Sequence, residues 1–299
     1  MVGFGWGRRV VYRFAKRFLQ HSMDFYPVSF AMLSHPGRVR KNNEDTCSAM
    51  REHGAFVVCD GMGGAAAGEV ASKVAAEAFL KALAPERGSR DKGPRTATPD
   101  VRMDDAVHAA NQAVFQHSRR SIQLHGMGTT LVGLLLEVTI GTQHGQSRSG
   151  KKGAVPEAVS LTLAHVGDSR CYLYREDTLT LLTNDHSLVE EQLRLGEITA
   201  YEAEHHPMRN IITRAVGSQA TVEPEIQPLE PRSGDIYLLA SDGLTRELAD
   251  EEIAATIYRA VSRAPDRRPN LETLCQTLID EANDAGGGDN VTVLLVQLP

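Results

Sequence analysis

An α+β fold, with helices layered on antiparallel sheets in one domain, is what this sequence predicts, and three observations carry the prediction. Runs that read as strands are accompanied by helical segments in antiparallel hairpin pairs, the pattern of layered sheets and helices. No internal repeat divides the 299 residues, and 41% hydrophobic content suffices for a large core at a length where packed sheets commonly make a single unit. Short acidic motifs recur from residue 40 to residue 290, so the chemistry-bearing residues span the chain rather than one half of it.

Taken in order, residues 1–26 form a basic segment ahead of a single domain at 27–299. In it Arg8, Arg9, Arg13, Lys16 and Arg17 lie among Phe4, Trp6, Tyr12 and Phe14, a mixture suited to weak contact with an acidic membrane surface or partner; the plain alternative is a frayed leader. A strand is expected at 27–33, and a second at 55–60, where Ala-Phe-Val-Val-Cys-Asp is apolar without alternation, as in a strand buried on both faces. From Gly68 onward Val70, Ala71, Val74, Ala78 and Phe79 recur at helical spacing, and a second helix over 103–121 puts Ala106, Val107, Ala110 and Val114 on one face. Prolines and glycines among charges mark 85–100 between them as an exposed loop.

Residues 129–138 are apolar on both sides, as expected of a strand between two layers. Glycines and lysines over 141–153 mark a flexible hairpin extension, and strands at 158–166, 170–175 and 178–183 then read as an antiparallel meander. The pattern breaks over 187–225, with one short helix near 188–195, where a substrate-binding flap is expected. A strand at 235–240, helices near 250–262 and 268–284 and a last strand at 291–297 complete the chain.

Bulk properties narrow the function. A formal charge of −6 argues against a nucleic-acid binder, which would carry a basic stripe. Cys47, Cys59, Cys171 and Cys275 show no close pairing and read as small buried thiols of a protein kept reduced. No stretch approaches the ~20 apolar residues that span a bilayer, and no signal-peptide core opens the chain, so a soluble cytoplasmic protein is expected.

The acids carry the chemistry. Asp60 ends a buried strand, and Gly61, Gly63 and Gly64 leave the next stretch of backbone free to bend toward a ligand. A carboxylate so placed can bridge two cations, with the Gly61 carbonyl as a further donor. Glu44 and Asp45 precede a strand, Asp242 follows one, and Asp289 sits in a Gly-Gly-Gly-Asp-Asn turn before the last. Any one of these motifs alone reads better as a turn, since Asp-Gly and Asp-Asn are turn chemistry. Together and in order they predict a carboxylate centre for a hard divalent ion, Mg²⁺, Mn²⁺ or Ca²⁺ rather than Zn²⁺.

The motifs Arg40-Lys41-Asn42-Asn43-Glu44-Asp45, Asp60-Gly61-Met62-Gly63-Gly64, Gly126-Met127-Gly128-Thr129-Thr130, Gly167-Asp168-Ser169-Arg170, Ser241-Asp242-Gly243 and Gly288-Asp289-Asn290 give the chain its resemblance to the metal-dependent Ser/Thr protein phosphatases of type 2C, in their bacterial form. The likeness covers about residues 28–297 and implies a four-layer α/β/β/α sandwich with two central antiparallel sheets and a flap insertion. It implies Mn²⁺ or Mg²⁺, two ions with a third often present. Asp60 would bridge two ions, Gly61 would add its carbonyl to the first, Glu44, Asp242 and Asp289 would hold the second, and Asp45 would act through a metal-bound water. Asp168 and Asp242 match the third position.

Arg40 would bind the substrate phosphate, a task that suits a planar guanidinium with two parallel donors. Hydrolysis of phosphoserine and phosphothreonine on partner proteins would proceed by direct attack of a metal-bridged water, with no phosphoenzyme. Where animal and plant members carry a His after Asp-Gly, this chain has Met62, which leaves the leaving-group proton to a metal-bound water or, less readily, to His35. His165, His186 and the pair His205-His206 are read as structural or solvent-facing, and Ser169 and Arg170 as braces of the turn after Asp168. A monomer opposing a bacterial Ser/Thr kinase is expected. The competing readings are a pseudoenzyme or phosphoprotein-docking module of the same fold, against which Asp60, Asp242 and Asp289 are all retained, and a specialised phosphatase for an anti-anti-sigma or secretion-system partner.

Overall fold

The computed structural model describes residues 28–84, 97–140 and 156–299. The expected basic segment at 1–26, the expected loop at 85–100 up to residue 96, and the expected hairpin extension at 141–153 therefore lie outside the described residues. Two antiparallel sheets form the centre. One runs in the order β1 (Ser29–His35), β11 (Val291–Gln297), β10 (Ile236–Ala240), β7 (Arg170–Arg175), β8 (Thr178–Leu181). The other runs β2 (Asp45–Met50), β3 (Ala55–Met62), β5 (Leu131–Ile140), β6 (Pro156–Val166), β9 (Glu225–Leu229), with the short β4 (Gly128–Thr129) on the end of β3.

Strand alternation sorts the side chains into three apolar layers. On β3, Ala55, Val57 and Cys59 meet the helices α1 (Ala65–Leu83) and α2 (Pro99–Ser118) through Ala71, Phe79, Met103 and Val107. Phe56 and Val58, on its other face, join Val132 and Leu134 of β5, Tyr237 and Leu239 of β10 and Leu294 and Val296 of β11 between the sheets. Leu238, Val293 and Leu295 turn outward onto α6 (Asp250–Arg263) and α7 (Leu271–Ala285), through Ile253, Ile257, Leu274 and Leu278. The four-layer α/β/β/α sandwich is thus dictated by strands that are apolar on both faces. The thiols of Cys59, Cys171 and Cys275 are buried in these layers, and Cys47 is half-buried.

The expected meander is not one sheet, and this corrects the sequence reading. β6 pairs with β5 and β9, whereas β7 pairs with β10 and β8, so only 170–181 is a hairpin. The chain crosses from one sheet to the other at Gly167, whose φ of 103° is left-handed and where a Cβ would lie 2.7 Å from Thr130 Cγ2. Spacing alone does not separate a tight hairpin from a tight crossing. The strand β9 was not expected: it begins at Glu225, where the expected flap ends, and its Pro228 is tolerated because β9 is an edge. The first helix starts at Ala65 rather than Gly68, and the second at Pro99 rather than 103.

Two short helices, α3 (Leu188–Leu195) and α4 (Ala200–Glu204), build the flap. Ser187 caps α3 by accepting from the Glu190 N–H at 3.3 Å, and Gly196, at φ 72°, stops it. The segment is tied down at its ends by bridges between Ser187 and Ile212 and between Thr129 and Val216. A last short helix, α5 (Asp242–Thr245), follows directly on β10.

Candidate metal centre

Strand ends place the acids. Asp45 and Asp60 are direct partners in the β2–β3 ladder, and alternation puts Asp60 on the same face as Phe56 and Val58, at the polar end of the inter-sheet layer. Asp242 opens α5 just past β10, Asp168 stands at the crossing after β6, and Asp289 precedes β11. Burial first, and then the charges of Asp45, Asp242, Asp168 and Asp289, push up the pKa of Asp60. Glu44 feels both Arg40 and Asp289. Its Oε2 and the Gly61 carbonyl converge over Gly68 in the first turn of α1, where a Cβ would lie 1.9 Å from the one and 2.9 Å from the other. The structure therefore gathers Arg40, Glu44, Asp45, Asp60, Gly61, Asp168, Asp242 and Asp289 into one region.

Asp45 is held from across the sandwich. Its Oδ2 accepts from Ser241 Oγ at 2.7 Å, just past the end of β10, and from Thr292 Oγ1 at 2.6 Å, on β11 of the opposite sheet. Burial nevertheless dominates and, with Asp242 and Asp289 adding repulsion, pushes its pKa up to about 7. Asp168 is likewise raised to about 7, by burial first, then by Asp242, with Arg246 opposing. Burial also raises Asp242, and its neighbour Arg246 works against that rise. Buried carboxylates packed this closely protonate unless cations neutralise them.

The residues fit divalent ions. Among the described residues, Asp45 Oδ1, Asp168 Oδ1 and Asp242 Oδ1 are buried with no hydrogen-bond partner, an arrangement that is costly unless a cation takes the free lone pairs. The donors are all oxygen, as hard ions require.

Asn290 organises the rim. Its Oδ1 accepts the Glu44 N–H at 2.7 Å while its Nδ2 donates to the carbonyls of Pro36 at 3.0 Å and Asn42 at 2.8 Å, so one side chain fixes both ends of the Arg40 loop. Close backbone approach needs glycine here: a Cβ on Gly37, at φ 78°, would lie 2.1 Å from the Asp289 carbonyl, and one on Gly243 2.1 Å from that of Asn290. The Arg40 side chain is 54% exposed and donates to Asp289 Oδ2 at 2.8 Å. A guanidinium there has one edge on the acids and another toward solvent.

Sequence reasoning missed Arg246, four residues after Asp242, whose guanidinium reaches Asp168, Asp242 and Asp289. It also assigned no role to Ser241, Asn290 or Thr292; Ser241 and Asn290 stand next to an acid at a strand end, whereas Thr292, inside β11, offers no such signal. His35 Nδ1 accepts from the Gly37 N–H at 3.0 Å, which commits it to the turn. Arg170 forks onto Asp185 at 2.8–3.2 Å and Ser169 bonds Thr130 at 2.7 Å, so both act as braces.

His165, His186 and Glu225 also converge closely enough for a metal ion. Hydrogen bonds already engage both His186 nitrogens and His165 Nε2. His186 Nδ1 accepts from the Gly167 N–H at 3.2 Å, so Nε2 carries the proton and donates to Glu225 Oε1 at 3.1 Å. His165 Nε2 donates to the Asn184 carbonyl at 2.9 Å.

The class this arrangement defines is the metal-dependent phosphatases built as an α/β/β/α sandwich. Residues 33–291 match the family described as Protein phosphatase 2C, and the chain belongs to it. It is 36% identical over 269 residues to the serine/threonine protein phosphatase PstP of Mycobacterium tuberculosis, a match over 90% of this chain and 45% of that protein, so the chain spans about half the length of this relative. Against the serine/threonine phosphatase stp of Listeria innocua identity is 32%, over 87% of this chain and 92% of the other. A crystal structure of the M. tuberculosis PstP superimposes with a TM-score of 0.72 at 35% identity, covering 91% of this chain and 98% of that one. The PstP catalytic domain in complex with 2 manganese ions gives a TM-score of 0.70 at 33% identity, with 91% and 98% covered.

Proposed function

We propose that this chain is a metal-dependent protein phosphatase that removes phosphate from serine and threonine of partner proteins. The observation that carries the reading is the set of buried, unpartnered carboxylate oxygens on Asp45, Asp168 and Asp242, which ask for cations. Asp60, the Gly61 carbonyl, Glu44, Asp242 and Asp289 would together hold two ions, Mn²⁺ or Mg²⁺. Asp45, held by Ser241 and Thr292, would orient a water beside the ions. When bound, the ions lower the pKa of water and stabilise charge on the attacking and leaving oxygens. Arg40 turns its solvent-facing edge to the substrate phosphate and positions it.

The single domain at 27–299 with its flap, the cytoplasmic setting and an opposing Ser/Thr kinase belong to the same proposal. No helix among the described residues is long and apolar enough to cross a membrane. The basic segment at 1–26 supplies at most a weak contact with an acidic surface.

Hydrolysis of a phosphothreonine peptide and of an aryl phosphate, with and without Mn²⁺, tests the reading. Wild type turns both over only with metal, and Asp242→Ala loses roughly a hundredfold in kcat, the scale of removing one electrostatic stabiliser. Metal-independent turnover, or turnover indifferent to that substitution, sinks the proposal. Arg40→Ala raises KM roughly tenfold to a hundredfold, as loss of a charged hydrogen bond should, with metal affinity unchanged; a large fall in metal affinity instead would show the residue to be misassigned.

A further inference from the structure

Arg246 is the only arginine among the described residues in ion-pair contact with three acids of the centre. Its Nη2 lies 3.4 Å from Asp168 Oδ2 and against Asp242 Oδ2, and its Nη1 lies 3.9 Å from Asp289 Oδ2. The side chain is 31% exposed, partly covered by the acids it serves. It comes from the residue that closes α5, four positions after Asp242, so the helix turn itself aims it back over the cluster.

The oxygens are divided between this cation and another. Asp168 and Asp242 each give Oδ2 to the guanidinium, while Oδ1 of each is buried and unpartnered. One flank of the acid pair is thus occupied by a cation built into the chain, and the other still lacks one. A divalent ion seated between Asp168 and Asp242 would stand within a few ångströms of the guanidinium bonded to the same carboxylates, in surroundings too dry to screen the repulsion.

We propose that Arg246 and a third divalent ion are mutually exclusive occupants of the Asp168–Asp242 pair. This inference rests on the two-cation reading of the centre. With the guanidinium in place the chain holds two ions tightly, and a third enters only when the arginine swings out through its exposed side. Arg246 is a positioning residue: it fixes the number of ions rather than touching the reacting atoms.

Manganese binding to the full-length, metal-stripped protein at neutral pH, followed by titration calorimetry and by the electron paramagnetic resonance signal of free Mn²⁺, tests this. Wild type should saturate at two tight Mn²⁺ per chain. Arg246→Met, which keeps the length and loses the charge, should take a third at least tenfold more tightly than wild type, and Arg246→Lys should fall between them. Asp168→Asn in the Arg246→Met background should abolish that third ion and leave two. Circular dichroism and melting curves confirm that each variant is folded; the lysine variant carries the comparison should the methionine variant fail to fold. A wild type that already binds three ions as tightly as the variant, or variants that stay at two, would overturn the inference alone. A wild type that binds no manganese would overturn the two-cation reading together with it.

Discussion

Thr292 is the residue on which the balance of the centre turns most simply. Its hydroxyl donates to Asp45 at 2.6 Å and pairs with Ser34 Oγ at 2.6 Å. Hydrogen bonds from Ser241 and Thr292 hold Asp45 toward its ionised form while burial opposes. Thr292→Val keeps the shape and deletes the hydroxyl, so Asp45 ionises less readily and Mn²⁺ binds roughly tenfold to a hundredfold more weakly, the usual cost of losing a partner of the ligand shell. Titration calorimetry reads this directly, and unchanged affinity would show that Ser241 alone suffices. The acids themselves were legible in the sequence because each lies beside a strand in a short motif. The Thr292 hydroxyl was not, because a residue that acts by reaching another element carries no local pattern, and Arg246 was not, because its place four residues after Asp242 reads equally as an ordinary helix-surface ion pair.

At the scale of elements, the crossing after β6 is where the sequence and the structure part. The apolar run of β3 and the helical spacing of α1 were legible, since burial on two faces and a 3.6-residue period are written into the residue types. Partnership was not, because β6 and β7 are consecutive yet lie in different sheets. What holds the crossing is His186, buried against His165 with ring centroids 4.7 Å apart and bonded to the Gly167 N–H. Burial, with His165 beside it, pulls the His186 pKa down to about 4. The unfolded chain therefore binds more protons than the native one between about pH 4 and 6.5, and the stability that a neutral His186 contributes is lost as pH falls through that window. Comparing unfolding free energies of wild type and His186→Gln across it by urea denaturation should show the gap narrowing on acidification, by on the order of 3 kcal/mol at most. A constant gap would mean that the imidazole does not titrate there.

At the scale of the whole molecule, cation binding and folding share one free energy, since the acids come from both sheets and converge only in the native state. Mn²⁺ at about a hundred times its Kd adds roughly 2.7 kcal/mol per ion, which for a domain near this size raises Tm on the order of 5–10 °C. Calorimetric scans of stripped and manganese-loaded protein at pH 7.5 measure the shift, and equal melting temperatures would deny the coupling. The clamp on Asp45 carries one more consequence. β2 belongs to one sheet, and Thr292 to the other, with Ser241 just past the end of its β10, so the two halves of the sandwich are stitched together at the acid cluster itself. The protein cannot breathe open along its mid-plane and keep these acids together; loosening in either half should be felt as loss of cation binding well before the chain unravels.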